Sequence, residues 1–187
     1  MKKWVNIAVK LGMIALFFLI IFLMSCSHSE HTTFRSTGFL DKSNLSHTDY
    51  VNVYKVIDGD TFWVKNKKGK NLKIRLIGID APEDRSAFKK KKHPFGKVSK
   101  GYLDSLIHDQ EIRLEYDIDS LDRFGRTLAY AYLDDTFINE ALIKYGYAVL
   151  MTIPPNVRYV SQFIEGQNYA RSNQLGLWKL YENPVFD

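Results

Sequence analysis

Three short runs rich in β-branched and aromatic residues, 50–57, 61–66 and 72–79, follow one another with only Asp58-Gly59-Asp60 and Lys67-Lys68-Gly69-Lys70 turns between them. Runs this short, cut by residues that favour tight turns, predict consecutive antiparallel strands rather than helices. Residues 111–116 and 127–133 alternate in the same way and add two further strands. Ahead of these two, Val98, Tyr102, Leu103, Leu106 and Ile107 fall at helical spacing. A second helix is expected with Asn139 as its N-cap, Glu140 in its first turn and Gly146 at its end. A third follows Pro154-Pro155, with Val160, Phe163, Ile164, Gln167 and Ala170 on one face, and Leu175-Gly176-Leu177-Trp178 packs an aromatic back onto the core. The expectation is an α+β domain, a small five-stranded barrel with three α-helices, over residues 49–181, leaving 182–187 as a tail. A region of ~140 residues can bury one core.

Charged residues collect where these strands end. Asp58 and Asp60 flank the first turn, Arg75 lies on the third run, and Asp80-Ala81-Pro82-Glu83 closes it. A further block, Asp122-Arg123-Phe124-Gly125-Arg126-Thr127, sets another arginine at a turn. Carboxylate oxygens of full charge suit hard cations, and a planar guanidinium can give two parallel hydrogen bonds to a phosphate. An Asp-Gly hairpin alone needs no function, but an acid ending a separate strand is not required by a turn. A barrel can bring the two together.

In these three blocks, in this order, residues 50–180 resemble the staphylococcal nuclease (thermonuclease) family. The resemblance implies an OB-fold barrel and Ca²⁺ held by Asp60, Asp80 and the backbone carbonyl of Ala81, where threonine is also seen. Because main-chain oxygen would be the ligand there, the side-chain change matters little. Asp58 is expected behind these ligands, orienting water or the turn. Glu83 is the family's candidate base, removing a proton from the attacking water or only orienting it. Arg75 and Arg126 would grip the scissile phosphate and meet the charge that builds on it. The implied activity is endonucleolytic hydrolysis of DNA and RNA with the phosphate left on the 3′ side and a preference for unpaired strands. A catalytically silent OB-fold module that only binds nucleic acid is the alternative, and a structural lipoprotein independent of metal is a third reading.

Substrate grip is expected from Lys89, Lys90, Lys91 and Lys92, which with Arg85 and Lys97 crowd the segment after Glu83 and could draw a polyanion to the site. The region that carries stacking tyrosines in family members reads Leu150-Met151-Thr152-Ile153-Pro154-Pro155-Asn156 here. Phe124, or Tyr147 or Tyr159, could offer a ring instead. His93 and His108 are assigned no catalytic part.

The N-terminal segment is a separate unit. Lys2, Lys3 and Lys10 precede an apolar run from Leu11 to Met24, and no acid occurs before Glu30. That is an export-signal pattern, too short for the roughly 20 residues of a comfortable membrane span. Leu23-Met24-Ser25-Cys26 resembles a bacterial lipobox, with an uncleaved anchor from Trp4 as the alternative. Residues 1–25 are expected to be a lipoprotein signal peptide, Cys26 the acylated residue, and 26–48 a flexible linker whose His28, His31 and His47 match no compact metal site. As the chain's single cysteine, Cys26 permits no internal disulfide. Removing three lysines from 26 basic residues leaves 23 against 21 acidic, so the mature charge is +2 rather than +5. The expected product is a monomer held at the outer side of a membrane by lipid.

Overall fold

The computed structural model describes residues 48–84 and 92–184. The expected signal peptide, Cys26, the linker up to residue 47, Lys89, Lys90 and Lys91, and residues 185–187 lie outside them. Strand β1 (Thr48–Val56) pairs antiparallel with β2 (Thr61–Asn66), and β2 with β3 (Asn71–Leu76). On its other edge β1 pairs with β5 (Glu111–Glu115), which pairs with β6 (Thr127–Leu133). Thr48 therefore already belongs to the domain, one residue earlier than the composition of the linker suggests. The sheet closes because β6 also runs parallel to β3, matching Ile74 with Thr127, Arg75 with Leu128 and Leu76 with Ala129. A closed five-stranded barrel with flanking helices results, so the expected α+β, OB-like architecture holds. Closure also removes the sheet's open edges.

Alternation fills the barrel. Val51, Val53, Phe62, Val64, Ile74, Leu76, Ile112, Leu114, Ala129 and Ala131 are all buried, whereas Asn52, Lys65 and Glu111 are exposed. Each large apolar side chain so buried contributes roughly 1.5–3 kcal/mol. Helix α1 (Gly96–Ile107) seals one side through Leu103 and Ile107, while Val98 on the expected apolar face is 48% exposed. The third run ends at Leu76 rather than Ile79, because Gly78 turns the chain with φ +80°, where a side chain would be strained and would also meet the ring of Phe163. The next two residues form β4 (Ile79–Asp80), which pairs with β8 (Val149–Leu150) in a separate small sheet. Strand β7 (Thr136–Phe137) is a hairpin extension of β6.

Helix α2 (Ile138–Lys144) corrects the assignment of Asn139. The N-cap is Phe137, and Asn139 is fully buried one residue inside the helix. Its Oδ1 accepts from the Ala131 N–H (3.0 Å) and its Nδ2 donates to the Ile77 carbonyl (2.9 Å), riveting the helix to β6 and to the turn after β3. Helix α3 (Val160–Ser172) buries Phe163, Gly166 and Ala170 and leaves Ile164 43% exposed. A fourth, single-turn helix α4 (Leu177–Leu180) joins the three expected, and Leu177 rather than Trp178 is its fully buried residue. Trp178 is half-buried under the Arg171 guanidinium, 5.4 Å from its ring.

Candidate active site

The β1–β2 turn is drawn tight by the Ile57 and Asp58 N–H groups, which donate to the Thr61 carbonyl at 2.9 and 3.2 Å. It presents Asp60 inward, 5% exposed. Asp60 Oδ1 accepts from the Thr61 hydroxyl (3.0 Å), and Oδ2 accepts from the Ala81 N–H (2.8 Å), tying the turn to the end of β4. Gly59 makes that approach possible. A Cβ there would stand 2.7 Å from Ala81 Cβ and 2.8 Å from Ser99 Cβ on α1.

Arg75 on β3 lies opposite Thr61 in register and is 6% exposed. Its Nη1 donates to the carbonyls of Leu76 and Ile79, both at 2.8 Å. Its Nη2 stands 3.2 Å from Asp60 Oδ2 and 3.0 Å from Asp80 Oδ1. One guanidinium nitrogen thus marks where two buried carboxylates, from a turn and from a separate strand, converge. Asp58 lies behind them, its Oδ1 accepting from the Asp60 N–H at 3.2 Å. Burial, then the charge and hydrogen bond of Asp60, and then the charge of Glu83 push the Asp58 carboxyl up to about 8. Glu83 is half-buried, and the His93 N–H donates to its carbonyl at 2.9 Å, closing the base of the basic segment.

Asp58, Asp60, Asp80 and Glu83 are four acids at this end of the barrel, two of them, Asp60 and Asp80, against the buried Arg75. Their donors are all oxygen, so the set fits a hard ion such as Ca²⁺. Among the described residues no three His, Cys, Asp or Glu side chains form a self-sufficient cage. A cation here would take two carboxylates together with main-chain oxygen, for which the Ala81 carbonyl is the neighbouring candidate.

Arg126 immediately precedes β6, and because β6 runs parallel to β3 it enters the strand next to that of Arg75, two positions before Leu128, the register partner of Arg75. Asp122 holds it. Asp122 Oδ2 accepts from Arg126 Nε at 2.6 Å, and Oδ1 accepts from the N–H groups of Phe124 and Arg126, both at 2.9 Å. Burial works to raise the Asp122 carboxyl, but these hydrogen bonds and the Arg126 charge outweigh it and hold the group below its ordinary value. With Nε engaged, the Arg126 side chain stays partly exposed. Phe124, 61% exposed, lies under Arg123 (4.8 Å) and Arg126 (5.6 Å). Lys92 is exposed at the end of the basic segment.

Other ring candidates part ways. Tyr159 donates its hydroxyl to Glu115 at 2.8 Å and packs on Tyr130, Phe137 and Phe163, so it braces α3 against the barrel. Tyr147 lies in a second aromatic cluster under α1. His93 packs edge-on against Tyr181, and His108 caps α1 with its ring on Asp104 (2.9 Å). Asp122, Gly59 and Ser99 were not apparent as site residues from sequence. Only Asp122 left a signal, an acid four residues before an arginine across an Asp-x-x-Gly turn.

A closed small barrel with clustered oxygen ligands and arginines at its strand ends defines an OB-fold protein built around a charged site. Residues 73–180 match the family model described as staphylococcal nuclease homologue. A thermonuclease of Staphylococcus hyicus is 35% identical over 167 residues, 89% of this chain and 95% of the relative. A thermonuclease of Staphylococcus intermedius is 38% identical over 127 residues, 68% of this chain and 74% of the relative. Endonuclease YncB of Bacillus subtilis is 30% identical over 154 residues, 81% and 72% of the two chains. The chain belongs to the staphylococcal nuclease family.

Proposed function

We propose that this protein is a Ca²⁺-dependent endonuclease that hydrolyses phosphodiester bonds of DNA and RNA. The observation that carries the reading is the convergence of Asp60 and Asp80 on Arg75, with Glu83 near enough for its charge to raise Asp58 and Arg126 held by Asp122 just before the strand that neighbours β3. Asp60, Asp80 and the Ala81 carbonyl would hold the ion, and Asp58 would support the Asp60 backbone. When bound, Ca²⁺ supplies positive charge that screens the phosphate and polarises water.

Glu83 removes the proton of the attacking water or orients it. Water oxygen bonds to phosphorus, the bond to the 5′ oxygen breaks, and that oxygen takes up a proton from solvent, leaving phosphate on the 3′ side. Arg126 keeps Nε on Asp122 and offers its two terminal nitrogens to phosphate oxygens. Arg75 keeps Nη1 on two carbonyls, and its Nη2, which rests on Asp60 and Asp80, would turn to the substrate once those carboxylates hold the ion. Preorganised donors of this kind are each worth on the order of 10² to 10³ in rate. Lys89, Lys90, Lys91 and Lys92 attract the polyanion, and Phe124 offers a ring.

The test is incubation of the protein with single-stranded DNA, with Ca²⁺ and with chelator, alongside Asp60→Asn and Asp80→Asn. Cleavage by the wild type in Ca²⁺ alone, lost in either variant, is expected. Binding without cleavage points instead to a silent OB-fold module, and neither binding nor metal dependence to a structural lipoprotein. Export with lipid on Cys26, as a monomer at the outer side of the membrane, belongs to the same proposal. It is tested by fatty-acid labelling and the N-terminal mass of the mature protein. An unlabelled chain retaining residues 1–25 would favour an uncleaved anchor and leave the nuclease reading intact.

A further inference from the structure

A second aromatic cluster stands apart from the ring stack under α3. Phe95, Tyr147, Tyr102 and Tyr145 form a series. The Phe95 and Tyr147 rings stack at 6.1 Å, Tyr147 and Tyr102 stack at 3.9 Å and 12°, and Tyr145 meets Tyr102 edge-on at 6.2 Å. Burial falls along the series, from Phe95 at 8% exposed to Tyr145 at 47%. At its open end Tyr102, Tyr145, Tyr147, Leu175 and Gly176 line a cavity of about 430 Å³. That is within the roughly 300–1,000 Å³ of small-molecule sites. The walls are flat rings and the rim is polar: the Tyr102 hydroxyl is pushed up by burial and then by the neighbouring hydroxyls of Tyr145 and Tyr147. A flat ligand with a hydrogen-bonding edge suits such a space.

The cluster is also built onto the active-site frame. Ser99 donates its hydroxyl to the Tyr147 carbonyl, and Ser99 is the α1 residue against which Gly59 of the Asp58–Asp60 turn packs. Tyr102 lies one turn further along the same helix, a rise of about 4.5 Å. At the deep end the Phe95 N–H donates to His93 Nδ1 (3.1 Å), and the His93 N–H to the Glu83 carbonyl. Lys97 is exposed on this part of α1 and Lys179 is exposed three residues after Gly176, while Lys100 rests on Asp84 at 3.6 Å and Lys144 lies over the Tyr169 ring at 5.5 Å.

Resting on the nuclease reading above, we propose that the cavity between Tyr102, Tyr145 and Tyr147 is a subsite that stacks a base of a single-stranded substrate, one or more nucleotides from the bond that is cut. Sequence-tolerant stacking follows, because every base has a flat face. A substrate too short to reach the cavity gains nothing from it.

The test uses the full chain in Ca²⁺ and two cleavage-resistant phosphorothioate oligothymidylates, one of about 12 nucleotides, within the span an OB-fold covers, and one dinucleotide. Fluorescence anisotropy should give Tyr145→Ala a dissociation constant at least about fivefold weaker for the long strand, the low end of the cost of one lost stacking contact. Tyr145→Phe, which keeps the ring, should stay within about twofold of wild type, and the dinucleotide should not discriminate among the three proteins. On ordinary DNA the long-strand KM should rise while kcat holds. An unchanged constant for the long strand, or an equal loss on the dinucleotide, overturns the proposal, the latter because the ring would then only prop the fold. Should the wild type cut nothing while Tyr145→Ala still binds the long strand more weakly, the cleavage reading fails and the subsite stands.

Discussion

Gly59→Ala is the smallest change that should disable the site, and its effect can be worked from the packing. The new methyl would sit 2.7 Å from Ala81 Cβ and 2.8 Å from Ser99 Cβ, about 1 Å inside the ~3.5–4.0 Å at which carbon atoms rest. Neither neighbour can rotate away, since both are Cβ atoms fixed to their backbones. The turn has to retreat by on the order of 1 Å, and it carries Asp60 away from the Ala81 N–H to which it is bonded at 2.8 Å. Overpacking of this kind costs about 1–3 kcal/mol, which should lower Tm by roughly 3–10 °C. A ~1 Å displacement of catalytic groups can cost about 10²-fold in turnover. Gly101→Ala supplies the control: nothing lies within 4 Å of a Cβ there, inside α1, so alanine should stabilise by about 0.5–1 kcal/mol. The measurements are thermal melts of the three proteins and kcat against Ca²⁺ concentration. A Gly59→Ala enzyme with wild-type turnover and Tm, or two variants that move in the same direction, would refute the reasoning.

Arg126→Ala should lower kcat by about 10² or more with little change in KM, whereas replacing Lys89 to Lys92 by glutamine should raise KM and flatten its salt dependence; steady-state kinetics across salt concentrations separates the two. Asp122→Asn should reproduce part of the Arg126 defect by freeing its side chain. Because the folded Asp122 carboxyl is held below its ordinary 3.8, its contribution to stability is present above that value and is lost as pH falls through the lowered one, which urea melts at pH 2–5 would follow. Asn139→Ala leaves the Ala131 N–H and the Ile77 carbonyl unpaired in a fully buried position and should cost about 2–6 kcal/mol in urea denaturation, at roughly 1–3 kcal/mol per orphaned group. Its turnover, measured well below Tm, should stay near wild type.

Local punctuation made most of the barrel legible. The Asp-Gly and Lys-Gly turns and the alternation of 111–116 and 127–133 identify five strands, because each signal depends on neighbours in the chain. The parallel contact of β3 with β6 carries no such signal, since it joins residues about 53 apart through the closure of the whole sheet. Two-residue strands such as β4 and β8 are too short for any periodicity to register. Asn139 was misread because an asparagine before a glutamate has the composition of a helix start, and only the fold reveals that its amide faces two orphaned backbone groups. In the site, residue types announced the acids and arginines. What they could not convey is that Arg75 sits buried with four acceptors rather than extended to solvent, or that Arg126 is held by an aspartate at a neighbouring turn.

These two arginines divide the electrostatic task. Arg75 is enclosed by acceptors and fixes the distance between a turn and a strand end, so its charge offsets buried carboxylates before any substrate arrives. Arg126 spends one nitrogen on Asp122 and keeps its remaining donors at a partly exposed edge. If residues 1–25 are removed as proposed, the net charge is only +2, and the protein as a whole would offer a polyanion little attraction. Recognition then depends on position: in the sequence a basic segment begins at Arg85, two residues after Glu83 and so close along the chain to the acids of the site. On the function proposed above, the pull of that segment on a polyanion falls off within about 10 Å at 0.1 M salt, while discrimination of the scissile phosphate is left to groups whose geometry the barrel sets.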